Sequence, residues 1–202
     1  MVLDKYVVRF AELPKSDGIT SPECFAYCIA GCNCRLRIKQ ISIMDKPSYL
    51  DFDYSGYPWK PSIDYRTHPE LYRVGKGEQG VLICQPYKGE IGPYWRFKDA
   101  AAATESSGAI LRLFKEYMQA GEFVGADMAR KYLQMGFTRA RRYANYRGGR
   151  KYDRVDAYRQ LPRGTGEVSK AEAAAIFYDA WQTAESDPGY QEMKIEWKKK
   201  YG

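Results

Sequence analysis

The sequence predicts an α+β fold, a small antiparallel sheet or set of hairpins followed by a predominantly helical bundle, arranged as a single domain. Three observations predict it. Between Glu70 and Phe97, short runs of β-branched and aromatic residues are separated by glycines and prolines, the pattern of strands and hairpin turns. From Asp99 onward, apolar residues recur at i, i+3 and i+4 over segments long enough for helices. A chain of 202 residues that is 45% apolar and 15% aromatic has enough hydrophobic material for one sizeable core.

Residues 1–43 show no sustained period and carry Gly18, Pro22 and Gly31, so they read as an N-terminal extension to a domain spanning 44–202, which opens at Met44. Four of the five cysteines fall there, as Cys24, Cys28, Cys32 and Cys34. Zinc sites usually show two Cys-x2–4-Cys pairs separated by a longer loop, so this crowding reads as reduced thiols; no metal or cofactor is expected. Ile29-Ala30-Gly31-Cys32 has the form of a lipoprotein cleavage site, but Asp17, Pro22 and Glu23 interrupt the apolar segment such a signal requires. No apolar run is long enough to span a membrane, and a cytoplasmic setting is expected.

From Tyr54 to Pro69, prolines and aromatics suggest an extended wrap. Glu70–Val74 and Val81–Tyr87 read as strands around the loop 75–80, and Tyr94–Phe97 as a third. Asp99 to Ala120 places Ile110, Leu113, Phe114, Tyr117 and Met118 on one helical face, and Gly121 ends it. Val124 to Met135 repeats the pattern, with Gly136 as a left-handed terminator. Thr138 then caps a third helix running to about Tyr146, where Gly148-Gly149 breaks it. Ser169 caps a helix over Lys170–Glu185, and Pro188 opens the last one, which ends in Lys198-Lys199-Lys200.

Charge supplies the strongest functional signal. Residues 130–154 hold nine Arg or Lys and a single acid, Asp153, for a formal +8 in a chain of net +7. The basicity is therefore one concentrated patch, which attracts polyanions and releases their counterions. Arg139, Arg141 and Arg142 fall in the opening turn of the helix predicted from Thr138, where the positive end of the helix dipole disfavours cations by roughly 0.3–1 kcal/mol each. Bound anion would convert that cost into a gain. Arg147, Arg150 and Lys151 continue the patch through the glycine turn, and Tyr146 is placed to stack on a base. Thr138, Arg139, Arg141, Arg142, Tyr146, Arg147, Arg150 and Lys151 thus form the candidate site for nucleic acid or another polyanion. An acidic protein would satisfy the same charge, making the chain an interaction or scaffold module, and so would solvent, with the arginines paired to Asp127, Glu122, Glu78 or the C-terminal acids. The helices flanking Gly136 also fit a helix-turn-helix, although the second is short.

Gly75-Lys76-Gly77-Glu78-Gln79-Gly80 fits G-x-G-x-x-G. Its setting between two predicted strands is wrong for a dinucleotide fold, and the chain has neither a His-Arg-Asp nor an Asp-Phe-Gly motif, so it is not a kinase. The glycines read first as a hairpin turn. The alternative is a phosphate loop of Gly75, Lys76 and Gly77 with Arg96, serving an enzyme on a nucleotide or phosphorylated metabolite whose pocket would join Lys76, Arg96 and Arg142. Catalysis has little else to draw on. His68 is the single histidine and reads as a hydrogen-bonded structural residue, and no carboxylate pair has diagnostic spacing. The four tryptophans read as core or interface rings.

Three blocks carry a resemblance to a known family: the run from His68 through Leu82, then Tyr94-Trp95-Arg96-Phe97, then Phe123 through Tyr152. They resemble an uncharacterised family catalogued as domain of unknown function 4385, with members in bacteria, fungi and cyanobacterial phages. The resemblance covers roughly residues 54–190 and implies no activity, and the first 43 residues share nothing with it.

Overall fold

In the computed structural model the described residues are 56–153, 155 and 158–202. The expectations for the N-terminal extension, the cysteine cluster, the cleavage-site-like stretch and a domain start at Met44 lie outside them. Among the described residues the fold is helical, with no β-strand: α1 spans Tyr87–Ile91, α2 Ala100–Gln119, α3 Phe123–Asn145, α4 Ser169–Glu185 and α5 Pro188–Tyr201. Two isolated bridges, Asp64 with Gln85 and Tyr152 with Gln160, are the nearest approach to a sheet. The expected α+β architecture is corrected to an all-helical one.

Burial explains why the expected strands did not form. Val81, Cys84, Tyr87 and Ile91 are the buried residues of their stretch, spaced by three and four, while Leu82 is half exposed. That is the period of a helical turn, and the backbone follows it, with Cys84 N–H donating to Gly80 O and Lys88 N–H to Cys84 O. Pro86 and Pro93 could not have donated to a ladder in any case. Glu70 lies in a 3-10 turn, Pro69–Leu71, opened by its proline. Tyr94–Phe97 does alternate, with Trp95 and Phe97 packed on the core and Arg96 exposed. It lacks a partner strand: Arg96 N–H donates to Ser106 Oγ of α2, and Trp95 and Phe97 meet Tyr132 and Tyr143 of α3.

The helices follow their apolar stripes. Asp99 caps α2 by accepting from Ala102 N–H at 2.9 Å, and Asp187 caps α5 by accepting from Tyr190 N–H at 2.9 Å. Ser169 is not the cap of α4; that position falls to Val168, without a side-chain bond. The larger revision concerns α3, which is one helix of 23 residues passing through Gly136. Gly136 is needed there for closeness of approach: a Cβ would lie 2.3 Å from Cδ1 of Phe177 on α4, a ring with no solvent exposure. With α3 continuous, the helix-turn-helix reading falls away.

Helices α2, α3 and α4 pack on one another as the centre of the domain, α3 and α4 most extensively. Helix α5 closes one end by laying Trp197 and Tyr190 against Phe123, with ring centroids 4.8 and 6.0 Å apart. The glycine loop wraps Trp59, whose ring lies where a Cβ on Gly75 or Gly80 would have to sit. Trp59 is buried and the other three tryptophans pack on the core as expected.

Candidate nucleic-acid interface

Helix α3 carries charge in two distinct ways. Its first half is wholly buried and contains Asp127, Arg130 and Lys131 on one face at i, i+3 and i+4. Lys131 Nζ donates to Tyr72 Oη at 2.7 Å and to Gln79 O at 2.9 Å, and lies 3.2 Å from Asp127 Oδ2. Asp127 accepts from the hydroxyls of Tyr72 and Tyr190, the latter at 2.7 Å, and from Arg130 Nε at 3.1 Å. Burial alone would raise the Asp127 pKa, but the charges of Lys131 and Arg130 and the two hydroxyls hold it below the ordinary value. Burial lowers Lys131 against the pull of Asp127, and pushes the neighbouring Cys84 thiol up to about 12. Two of the nine cations counted in the basic window are thus buried and already held by protein groups. The signal was an acid–base triplet on an otherwise apolar helical face, which charge counting passes over.

The second half of α3 points its charge outward. Arg139 and Arg141 are exposed and Arg142 is half-buried, in the last turns of the helix. Their predicted place at a helix start is overturned. They sit at the negative end of the α3 dipole, where cations are favourable, and Thr138 caps nothing: its hydroxyl bonds the Glu78 carboxylate and so ties the glycine loop to α3.

Beyond Asn145 the chain turns through Arg147–Gly149, and an arm follows in which residues 151–153 pair with 159–161, Leu161 N–H donating to Lys151 O at 2.9 Å and Asp153 N–H to Arg159 O at 2.9 Å. Tyr146 anchors this arm. It is 3% exposed and its hydroxyl accepts from Gln160 Nε2 at 3.1 Å and Arg163 Nε at 3.3 Å, the second bond being the main reason its pKa is lowered. The stacking role expected of Tyr146 is therefore corrected to a structural one.

Between α3 and the arm lies an open cleft of about 620 Å³, lined by Arg139, Arg142, Arg150 and Lys151, by the rings of Tyr143, Tyr152 and Tyr158, and by Asp153. Arg142 Nε donates to Gly149 O at 2.7 Å, which fixes the guanidinium at the cleft without occupying its terminal nitrogens. Tyr158 holds a left-handed backbone, φ 58°, a conformation that is costly for a bulky residue and concentrates at functional sites. Arg141 and Arg147 are exposed but do not line the cleft.

The carboxylates expected to neutralise these arginines are engaged elsewhere. Asp127 holds Arg130 and Lys131, Glu122 holds Arg66 at 3.0 Å and the Tyr87 hydroxyl, and Glu78 takes Thr138. Among the described residues, Arg139, Arg141, Arg142, Arg147, Arg150 and Lys151 make no ion pair. The alternative set is dispersed: Lys76 lines a second cleft with Gly75 and Gly77, Arg96 lines a third beside α2, and Arg142 belongs to the first. His68 is an exposed residue, its Nδ1 3.4 Å from Glu70. The described residues contain no cluster with the makings of a metal site, and none of their helices is long and apolar enough to cross a membrane.

These features define the described residues as an all-helical domain with a cationic cleft, its arginines and lysine without ion pairs among them, at the end of the central helix. Residues 57–200 match the family described as domain of unknown function (DUF4385), and the chain belongs to that family. No curated protein and no solved structure matches it.

Proposed function

We propose that the protein binds nucleic acid through the cleft at the end of α3 and performs no chemistry on it. The observation that carries this reading is the convergence of Arg139, Arg142, Arg150 and Lys151 on one open cleft without a carboxylate partner among the described residues. Phosphates take these four groups, and the exposed Arg141 and Arg147 add to the local positive field. The cleft rings, rather than Tyr146, supply the flat surfaces on which bases stack. A cytoplasmic setting belongs to the same proposal.

Fluorescence anisotropy with labelled single- and double-stranded oligonucleotides tests it. Arg139→Ala with Arg142→Ala weakens binding by about tenfold or more for each guanidinium–phosphate bond lost, since hydrogen bonds to charged groups contribute roughly 1.5–3 kcal/mol. Lys115→Ala, a change at an exposed lysine of α2, leaves binding as it was. Equal losses from both variants would mean that total charge, and not the cleft, holds the ligand. Polyglutamate matching the oligonucleotide in affinity would assign the cleft to an acidic protein instead.

A further inference from the structure

The glycine loop finds its partners at the last two helices and not at Arg96. Gly75, Lys76 and Gly77 line a cleft of about 490 Å³ together with Lys194 and Lys198 of α5, in the size range of small-molecule sites, roughly 300–1,000 Å³. Arg130 of α3 and Trp181 and Glu185 of α4 complete the part of the lining that matters here. Four cations meet a single carboxylate.

That carboxylate is already satisfied. Glu185 pairs with Arg130 at 3.0 Å and Lys194 at 2.9 Å. Burial would raise its pKa, but the Lys194 bond and the Arg130 charge hold it low, so it stays ionised and fixes both cations in place. Arg130 is immobilised further by Asp127, by Gln134 at 3.0 Å and by Gly77 O at 3.3 Å. Its guanidinium is a fixed positive source beside the loop. Lys76 and Lys198 are exposed and make no ion pair among the described residues, which leaves two unpaired cations at the cleft. Trp181 adds an aromatic surface, held by stacking on Phe137 with ring centroids 5.9 Å apart.

We propose that this second cleft binds a phosphorylated small molecule of the nucleotide class, with its phosphates between Lys76 and Lys198 and its planar base against Trp181. The site shares no lining residue with the cleft of Arg139 and Arg142, so the two proposals stand or fall separately.

Titration of the full chain with adenosine diphosphate, followed by tryptophan fluorescence and by thermal shift, tests it. The expected result is saturable quenching with a rise in melting temperature. Lys76→Ala with Lys198→Ala, both at exposed positions, weakens binding by about tenfold or more. Trp181→Phe removes most of the quenching but leaves a smaller thermal shift, and inorganic pyrophosphate competes more weakly than the nucleotide. Arg139→Ala with Arg142→Ala leaves the titration unchanged. The proposal is overturned by the absence of saturable binding, by undiminished binding in the double lysine variant, or by pyrophosphate binding as tightly as the nucleotide.

Discussion

Gly136 shows how much one missing side chain decides. In the middle of a helix, replacing glycine by alanine normally stabilises by about 1 kcal/mol through propensity alone. Here the added Cβ would meet the buried Phe177 ring at 2.3 Å, and overpacking of that kind costs typically 1–3 kcal/mol or more. Gly136→Ala therefore lowers the thermal midpoint, whereas Gly108→Ala in α2, where the nearest atom is the flexible end of Arg112 at 3.8 Å, raises it. Two midpoints moving in the same direction would sink this explanation. A single sequence shows a glycine between two apolar stripes and cannot separate a stop from a close crossing, because the difference lies in a residue 41 positions away on α4. Reading Gly136 as a stop also misplaced Thr138, Arg139, Arg141 and Arg142 at a helix start. The residues of the patch were legible in the sequence; their electrostatic setting was not.

Helix α3 joins an internal ionic network to an external cationic end. Losing Asp127 would leave Lys131, which has no solvent exposure, without its counter-charge, and breaking a buried pair costs about 3–5 kcal/mol. The folded-state pKa of Asp127 is depressed, so its contribution is fully present above the unfolded-state value of about 4 and is lost as pH falls below it. Glu90, held low first by the Arg66 bond, and Glu185 act in the same direction. The melting temperature is therefore expected to hold from neutral pH to about pH 5 and to fall steadily below about pH 4. Asp127→Asn should melt lower at pH 7 and show a shallower acid limb by circular dichroism; an acid limb as steep as that of the parent protein would show that Asp127 is not a main source of it. The long helices α2 and α4 were readable from their stripes because each buries one face, and α5 from its opening proline. The stretch 81–91 was not, since Val, Ile and Tyr suit either period and only the exposure of Leu82 distinguishes them. The returning arm at 151–161, which contributes Tyr158 and Leu161 to the cleft, left no sequence signal beyond scattered turn residues.

Taken whole, the molecule separates its charge. Outside residues 130–154 the chain nets about −1, and within that window Arg130 and Lys131 are absorbed by the interior. The remaining positive field is focused at one end of α3, with four of its sources on one cleft. An even solvated face would have shared its arginines among nearby carboxylates, yet Asp127, Glu122 and Glu78 are held by other groups. A site of this kind must release counterions when it binds phosphate. The logarithm of the association constant for a single-stranded oligonucleotide, plotted against the logarithm of salt concentration, should fall on a line whose slope becomes shallower by about 1.4 in Arg139→Ala with Arg142→Ala, about 0.7 per phosphate contact removed. A line of zero slope, or one whose slope the double variant leaves unchanged, would contradict the assignment of nucleic-acid binding to this cleft.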